Sequence, residues 1–150
     1  MKSYITLICC TVLVFLLSLS CSSDKDYLSL PVFEIGLSNV SSDEDIHVGD
    51  NVILSLNNMN KPQNIRYDSY KWSCSPDVDG LQSATPNLNN SFKPRYKGKH
   101  DITITIEATN FVDGKLSDNG KTVTVGETTN SYKVSVLKTT ITVKRTIFVK

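Results

Sequence analysis

The chain has 150 residues, 39% hydrophobic and 21% charged, with 16 basic against 15 acidic side chains. That size and balance suit one small globular domain with a short appendage, and they exclude a polytopic membrane protein and a long disordered tail. A near-neutral charge leaves no electrostatic footprint for nucleic acid.

Residues 1–20 carry one charge, Lys2, ahead of the apolar run ITLICCTVLVFLLSLS. The run has the length of a signal-peptide core and falls short of the roughly 20 apolar residues that suit a spanning helix. A retained anchor would also be flanked by more cytoplasmic basic residues than a lone lysine. Residues 1–20 therefore read as a secretion signal. Cys9 and Cys10 leave with it, so the exported chain keeps Cys21 and Cys74. A disulfide between them would tie a terminal tether to a core strand, an awkward geometry. With no disulfide framework, the domain must hold by packing.

The stretch LSLSC, residues 17–21, resembles the lipobox of bacterial lipoproteins. Ser20 and Leu19 take its small and variable positions; Ser18 stands where leucine is usual, with Leu17 one place further back. The resemblance implies cleavage between Ser20 and Cys21, and a diacylglyceryl group on the Cys21 thiol followed by N-acylation. Two or three acyl chains, at about 0.8 kcal/mol per buried methylene, hold a protein on a bilayer that one chain holds only marginally. Residues 21–31, CSSDKDYLSLP, are polar and acidic, as a tether should be. Asp24 and Asp26 loosely resemble the signal that sends some Gram-negative lipoproteins to the outer face of the outer membrane. Surface exposure is thus expected there, with the periplasmic face as the alternative. Cleavage removes Lys2 and no acid, which brings the two signs into balance.

From Pro31 onward the hydrophobic period is two, so the chain reads as all-β. PVFEIGLS is a first strand. Gly49 and Asp50 turn the chain into NVILSLNN, where Val52, Leu54 and Leu56 alternate with Ile53, Ser55 and Asn57. RYDSYKWSCSP puts Tyr70, Trp72 and Cys74 on one face and Lys71, Ser73 and Ser75 on the other, with Pro76 ending the run. SPDVDGLQSATPNLNN is turn-rich, and SFKPRYKGKH is a short extended piece broken by Pro94 and Gly98. HDITITIEATN alternates most strictly, with Ile102, Ile104, Ile106 and Ala108 on the dry face. A looped NFVDGKLSDNG then leads into the strand KTVTV. Trp72, Cys74, Ile102, Ile104 and Ile106 are the expected core. Short strands at this spacing, with the single tryptophan on the third, describe an immunoglobulin-like β-sandwich.

The run from Val32 to Val125 also resembles a polycystic-kidney-disease (PKD) domain, a sandwich common in bacterial exported proteins. Val48-Gly49-Asp50 matches its turn before the second strand, Trp72 its tryptophan, and Gly98-Lys99-His100 its late corner. His100 replaces the usual tyrosine, and SCSP replaces the family's glycine-and-aspartate turn. Residues 126–150 go beyond that pattern. Tyr132, Val134 and Val136 alternate, as do Ile141, Val143, Ile147 and Val149 with Arg145 breaking the row. They are expected as an added C-terminal hairpin or as edge strands, with Lys144, Arg145 and Lys150 blunting the edge.

No base is set beside a nucleophile: Cys74 shares the face of Trp72, while His47 lies in a turn and His100 at a corner. No enzyme and no catalytic residue are expected. Asp77 and Asp79 in PDVDG, and Asp43, Glu44, Asp45 and Asp50 in SDEDIHVGD, supply oxygens of the kind calcium binds. Neither stretch has the EF-hand spacing. They read as solvated turn carboxylates, with Asp77 and Asp79 as weak metal candidates and no cofactor beyond the lipid. Tyr67, Tyr96 and Phe111 are the aromatics left for a sugar platform. The expected function is a lipid-anchored, non-enzymatic envelope module for binding, adhesion or display, with a glycan or protein ligand. The alternative is a structural subunit of an envelope assembly whose C-terminal strands pair with a partner.

Overall fold

The computed structural model describes residues 28–40, 42, 45–84, 88–113 and 118–150. The signal segment, Ser20, Cys21 and most of the tether lie outside these residues, as do Asp43 and Glu44. Among the described residues run nine strands: β1 (Phe33–Ser38), β2 (Val52–Asn58), β3 (Ile65–Ser75), β4 (Val78–Asp79), β5 (Asn89–Pro94), β6 (Gly98–Asn110), β7 (Thr122–Val125), β8 (Thr128–Val134) and β9 (Lys138–Val149). They form two antiparallel sheets, ordered β1-β2-β5-β4 and β3-β6-β9-β8-β7, packed as in a β-sandwich.

Period-two alternation builds the core between the sheets. Val52, Leu54 and Leu56 from β2 and Phe92 from β5 meet Ile102, Ile104 and Ile106 from β6 and Trp72 from β3, all buried. Thr103, Thr105 and Glu107 face the other way and keep β6 wet on its outer side. In β3 the alternation is broken by a bulge between Tyr67 and Ser69. Asp68 is the extra residue, so Tyr67 and Tyr70, three apart in sequence, both turn inward. Asp68 points out, where it accepts from Thr109 Oγ1 at 2.6 Å and Lys138 Nζ at 2.8 Å.

Residues 126–150 fold as a hairpin, but not as an appendage. β9 lies between β6 and β8 inside the five-stranded sheet, paired from Gly98↔Val149 to Thr109↔Lys138 on one side and with β8 on the other. Ile141, Val143, Ile147 and Val149 belong to the same core as Trp72. The terminal strands of this sheet are β3 and β7.

Strand β1 is terminal in its own sheet, yet its outer backbone edge is satisfied. The Phe33 N–H donates to Asn130 Oδ1 at 2.9 Å, and Asn130 Nδ2 donates back to the Phe33 carbonyl at 2.8 Å. One residue pair along, the Ile35 N–H donates to Thr128 Oγ1 at 3.1 Å, and an Arg145 guanidinium N–H donates to the Ile35 carbonyl. The Tyr132 hydroxyl closes the row on the Pro31 carbonyl at 2.7 Å. Side chains from β8 and β9 thus stand in for a neighbouring strand, and Asn130 and Thr128 are fully buried in doing so.

Truncating Asn130 to alanine leaves both Phe33 backbone groups buried without partners. At about 1–3 kcal/mol for each such group, reduced by partial hydration, Asn130→Ala should cost about 2–4 kcal/mol in urea unfolding. Ser131→Ala, exposed next door, should stay within about 0.5 kcal/mol. Equal losses for the two variants would contradict the strand-like role of Asn130.

Candidate functional site: a tyrosine-lined recess

The bulge in β3 brings two tyrosines to an apolar recess of about 260 Å³, lined by Asn58, Lys61, Pro62, Tyr67, Tyr70 and Leu88 with Phe33 at its base. The Tyr67 ring meets Phe33 edge-on at a centroid distance of 5.5 Å, and Tyr70 lies tilted at 6.2 Å. Asn58 Nδ2 donates to the Tyr67 hydroxyl at 2.8 Å, which fixes the ring. Burial pushes the Tyr67 phenol up to about 12, against the opposing pull of that hydrogen bond. Burial raises Tyr70 as well, so both phenols stay neutral across the physiological range. Lys61 enters the rim from a turn closed by its own N–H on Asn58 Oδ1 at 3.0 Å, with its backbone left-handed at φ 40. Two aromatic faces, a proline and a leucine beside one amine can hold the apolar face of a sugar ring or a nonpolar side chain.

Two other recesses are polar. The larger, about 590 Å³, gathers Asn39, Asp45, His47 and Asp50 at the opposite end. Its groups serve the turn: the His47 N–H donates to Asp50 Oδ2 at 2.7 Å, and Asp45 faces Lys150 at 4.0 Å. The other, about 320 Å³, is bordered by Asn51, Gln82 and Asn90. The Asn90 amide is engaged by the Gln82 backbone at 2.8 and 3.2 Å.

The residues singled out in sequence fall as follows. Trp72, Ile102, Ile104 and Ile106 are buried to 1% exposure or less. Cys74 shares their side of the sheet but is only half-buried. Asp79 is held by the Arg95 guanidinium, which lowers its carboxyl pKa, and Asp77 is exposed beside it. Among the described residues no three metal-ligating side chains come together. The ring Nδ1 of buried His100 lies 3.1 Å from the Gly98 carbonyl. The aromatics considered for a platform do not form one: Tyr67 turns inward through the bulge, while Tyr96 and Phe111 are exposed on loops at opposite ends. Sequence reasoning missed Tyr70, Pro62 and Leu88 as members of a site. The three-residue spacing of Tyr67 and Tyr70 within one strand was the available signal, since two inward aromatics at that spacing require a bulge.

The chain matches no family model, no curated protein and no solved structure.

Burial, reinforced by the nearby Asp101 and Asp77 carboxylates, pushes the Cys74 thiol up to about 11. Its alkylation rate, followed by mass spectrometry of the peptide that carries it, should therefore rise about tenfold per pH unit from pH 8 to 10. A plateau near pH 9 would show an unperturbed thiol. Asp101 moves the other way. Lys144 Nζ at 2.8 Å and Thr146 Oγ1 at 2.7 Å, with Lys99 at 3.4 Å, hold its pKa down to about 2. The stabilisation this gives is complete above the unfolded value of about 3.9 and is lost as pH falls through about 2. In Asp101→Asn the urea midpoint should fall less steeply between those two pH values than in the wild type. Parallel curves would remove Asp101 from the acid response.

Proposed function

We propose that the chain is a lipid-anchored, non-enzymatic envelope module, tethered through acylated Cys21 and binding a glycan or protein ligand at the Tyr67–Tyr70 recess. The observation that carries the reading is the LSLSC stretch placed just ahead of the folded domain. Leu28 is already packed in the core, so the seven residue steps from Cys21 span at most about 25 Å. A domain that begins this soon after a candidate acylation site is held close to the membrane and does not cross it. The outer face of the outer membrane is the favoured address, with the periplasmic face as the alternative.

The strand order supports an immunoglobulin-like reading of the sandwich. Sheets ordered β1-β2-β5-β4 and β3-β6-β9 follow the ABED and CFG arrangement of immunoglobulin-like domains. The buried Trp72 then sits on strand C, and β7–β8 is a hairpin inserted before the last strand. The PKD-like turn at Val48-Gly49-Asp50 is a tight one, with Gly49 at φ 88 and the Asp50 N–H on the His47 carbonyl at 3.1 Å. In the assembly-subunit reading, β8 and β9 are already paired on both edges. Strand addition would therefore fall to β7.

The anchor is tested by fractionating cells that express the wild type or Cys21→Ala. The wild type should sediment with membranes and carry acyl mass on its N-terminal peptide, and the variant should lose both. Protease added to intact cells then separates the two faces, because only the outward domain is cut before lysis. A Cys21→Ala chain that stays membrane-bound would overturn the lipoprotein reading.

A further inference from the structure

The incoming chain reaches the sandwich at one of its two ends. At the end where the chain enters, three loops carry Met59, Phe111, Val136 and Leu137, exposed at 53, 60, 57 and 67%. Backbone hydrogen bonds join these loops to one another and, through Met59, to the incoming segment. The Met59 N–H donates to the Val32 carbonyl at 2.8 Å, the Phe111 N–H to Asn64 at 2.9 Å, and the Asn110 N–H to Leu137 at 3.0 Å. The opposite end also exposes Val48, Tyr96 and Phe148, at 44, 57 and 62%, but there Tyr96 is flanked by Arg95 and Lys97 and Phe148 pairs across from Lys99, so its apolar side chains are interleaved with cations.

Turn geometry does not explain the apolar pair at residues 136 and 137. Two-residue hairpin tips favour glycine, asparagine and aspartate. Here Ser135 makes the turn instead: its Oγ donates to the Lys138 carbonyl at 2.9 Å and accepts the Lys138 N–H at 3.2 Å. Valine and leucine at such a tip gain nothing from the domain itself, and apolar side chains gathered on one surface mark a contact.

We infer that this end rests on the lipid surface, with Met59, Phe111, Val136 and Leu137 dipping into the interfacial zone. The inference rests on the lipidated Cys21 reading, and the tether fixes the occupant. Seven residue steps from the acylated cysteine bring Leu28, and with it this end of the domain, within about 25 Å of the bilayer. Charge plays a minor part. Lys138 is paired with Asp68 at 2.8 Å, and Lys61, in the loop of Met59, is an exposed cation that adds to a mainly apolar contact. Four shallow side chains alone would give weak binding, so they orient a domain that the acyl chains retain.

The test is labelling from within the lipid. Full-length protein purified with its acyl chains is reconstituted into phosphatidylethanolamine–phosphatidylglycerol vesicles that contain a photoactivatable phospholipid. After flotation, cross-linked peptides are mapped by mass spectrometry. Labels should fall on residues 59–64, 111–113 and 135–138, about fivefold over those bearing Tyr96 and Phe148, because only the former lie at interfacial depth. Leu137→Asp combined with Phe111→Asp should lower labelling of the tips about fivefold with flotation unchanged, since acyl chains suffice for retention. A protein that floats but is labelled equally at both ends, or at neither, overturns the inference and leaves the anchor standing. Chain-to-chain cross-links at the tips would assign them to a second copy and overturn it too. A protein without acyl mass that fails to float sinks the anchor reading, and the inference with it.

Discussion

The fold depends on how one strand's open edge is closed. A terminal strand presents a row of N–H and C=O groups, and leaving them buried and unpaired is costly. In β1 that row faces the other sheet, and a buried asparagine, a threonine, an arginine and a tyrosine hydroxyl answer it group by group. Asn130 matters most because its amide both accepts and donates, copying the paired exchange of an antiparallel neighbour. The same polar atoms that would destabilise the core if unmatched become the seam that joins its two sheets. The arrangement also makes the C-terminal hairpin part of the domain. Without Thr128, Asn130, Tyr132 and Arg145, these groups of β1 would lose their partners on the edge away from β2.

That seam explains what the sequence disclosed and what it hid. β6 and the third strand from Tyr70 to Ser75 are legible because apolar and polar residues alternate there without interruption, and β2 departs from that pattern only at the outward Ile53. The seam is not, because an inward asparagine or threonine looks like an outward one. Arg145 appeared to break the row of β9, whereas it keeps its place in that row and reaches to the Ile35 carbonyl. The resemblance ending at Val125 separated the last strands from a sandwich that contains them, since the positions that tie them to β1 are polar, although Ile141, Val143, Ile147 and Val149 also join the core. The candidate recess was hidden by a different mechanism. A single extra residue, Asp68, shifts the parity of β3 and turns Tyr67 from an outward aromatic into an inward one.

The recess and the apolar loop tips meet in one loop. Met59 belongs to the turn that also supplies Lys61 and Pro62 to the recess. In the orientation inferred above, Tyr67 and Tyr70 would open just above the lipid, where a ligand carried by the same membrane is held at high local concentration. The chemistry of the recess suits such a ligand, since stacking faces gain specificity from orientation more than from charge.

The bonds between Phe33 and Asn130 link residues 97 apart in sequence. They set an order on folding. A chain made from its amino terminus produces β1 before β2, with which it can pair, but its other edge waits for residues 93 to 110 positions further on. Contacts this distant carry a high loop-closure cost and form late. Until Arg145 has emerged, the sandwich stays open along one side, and a chain threaded through a narrow channel in an extended state has no complete domain to unravel first.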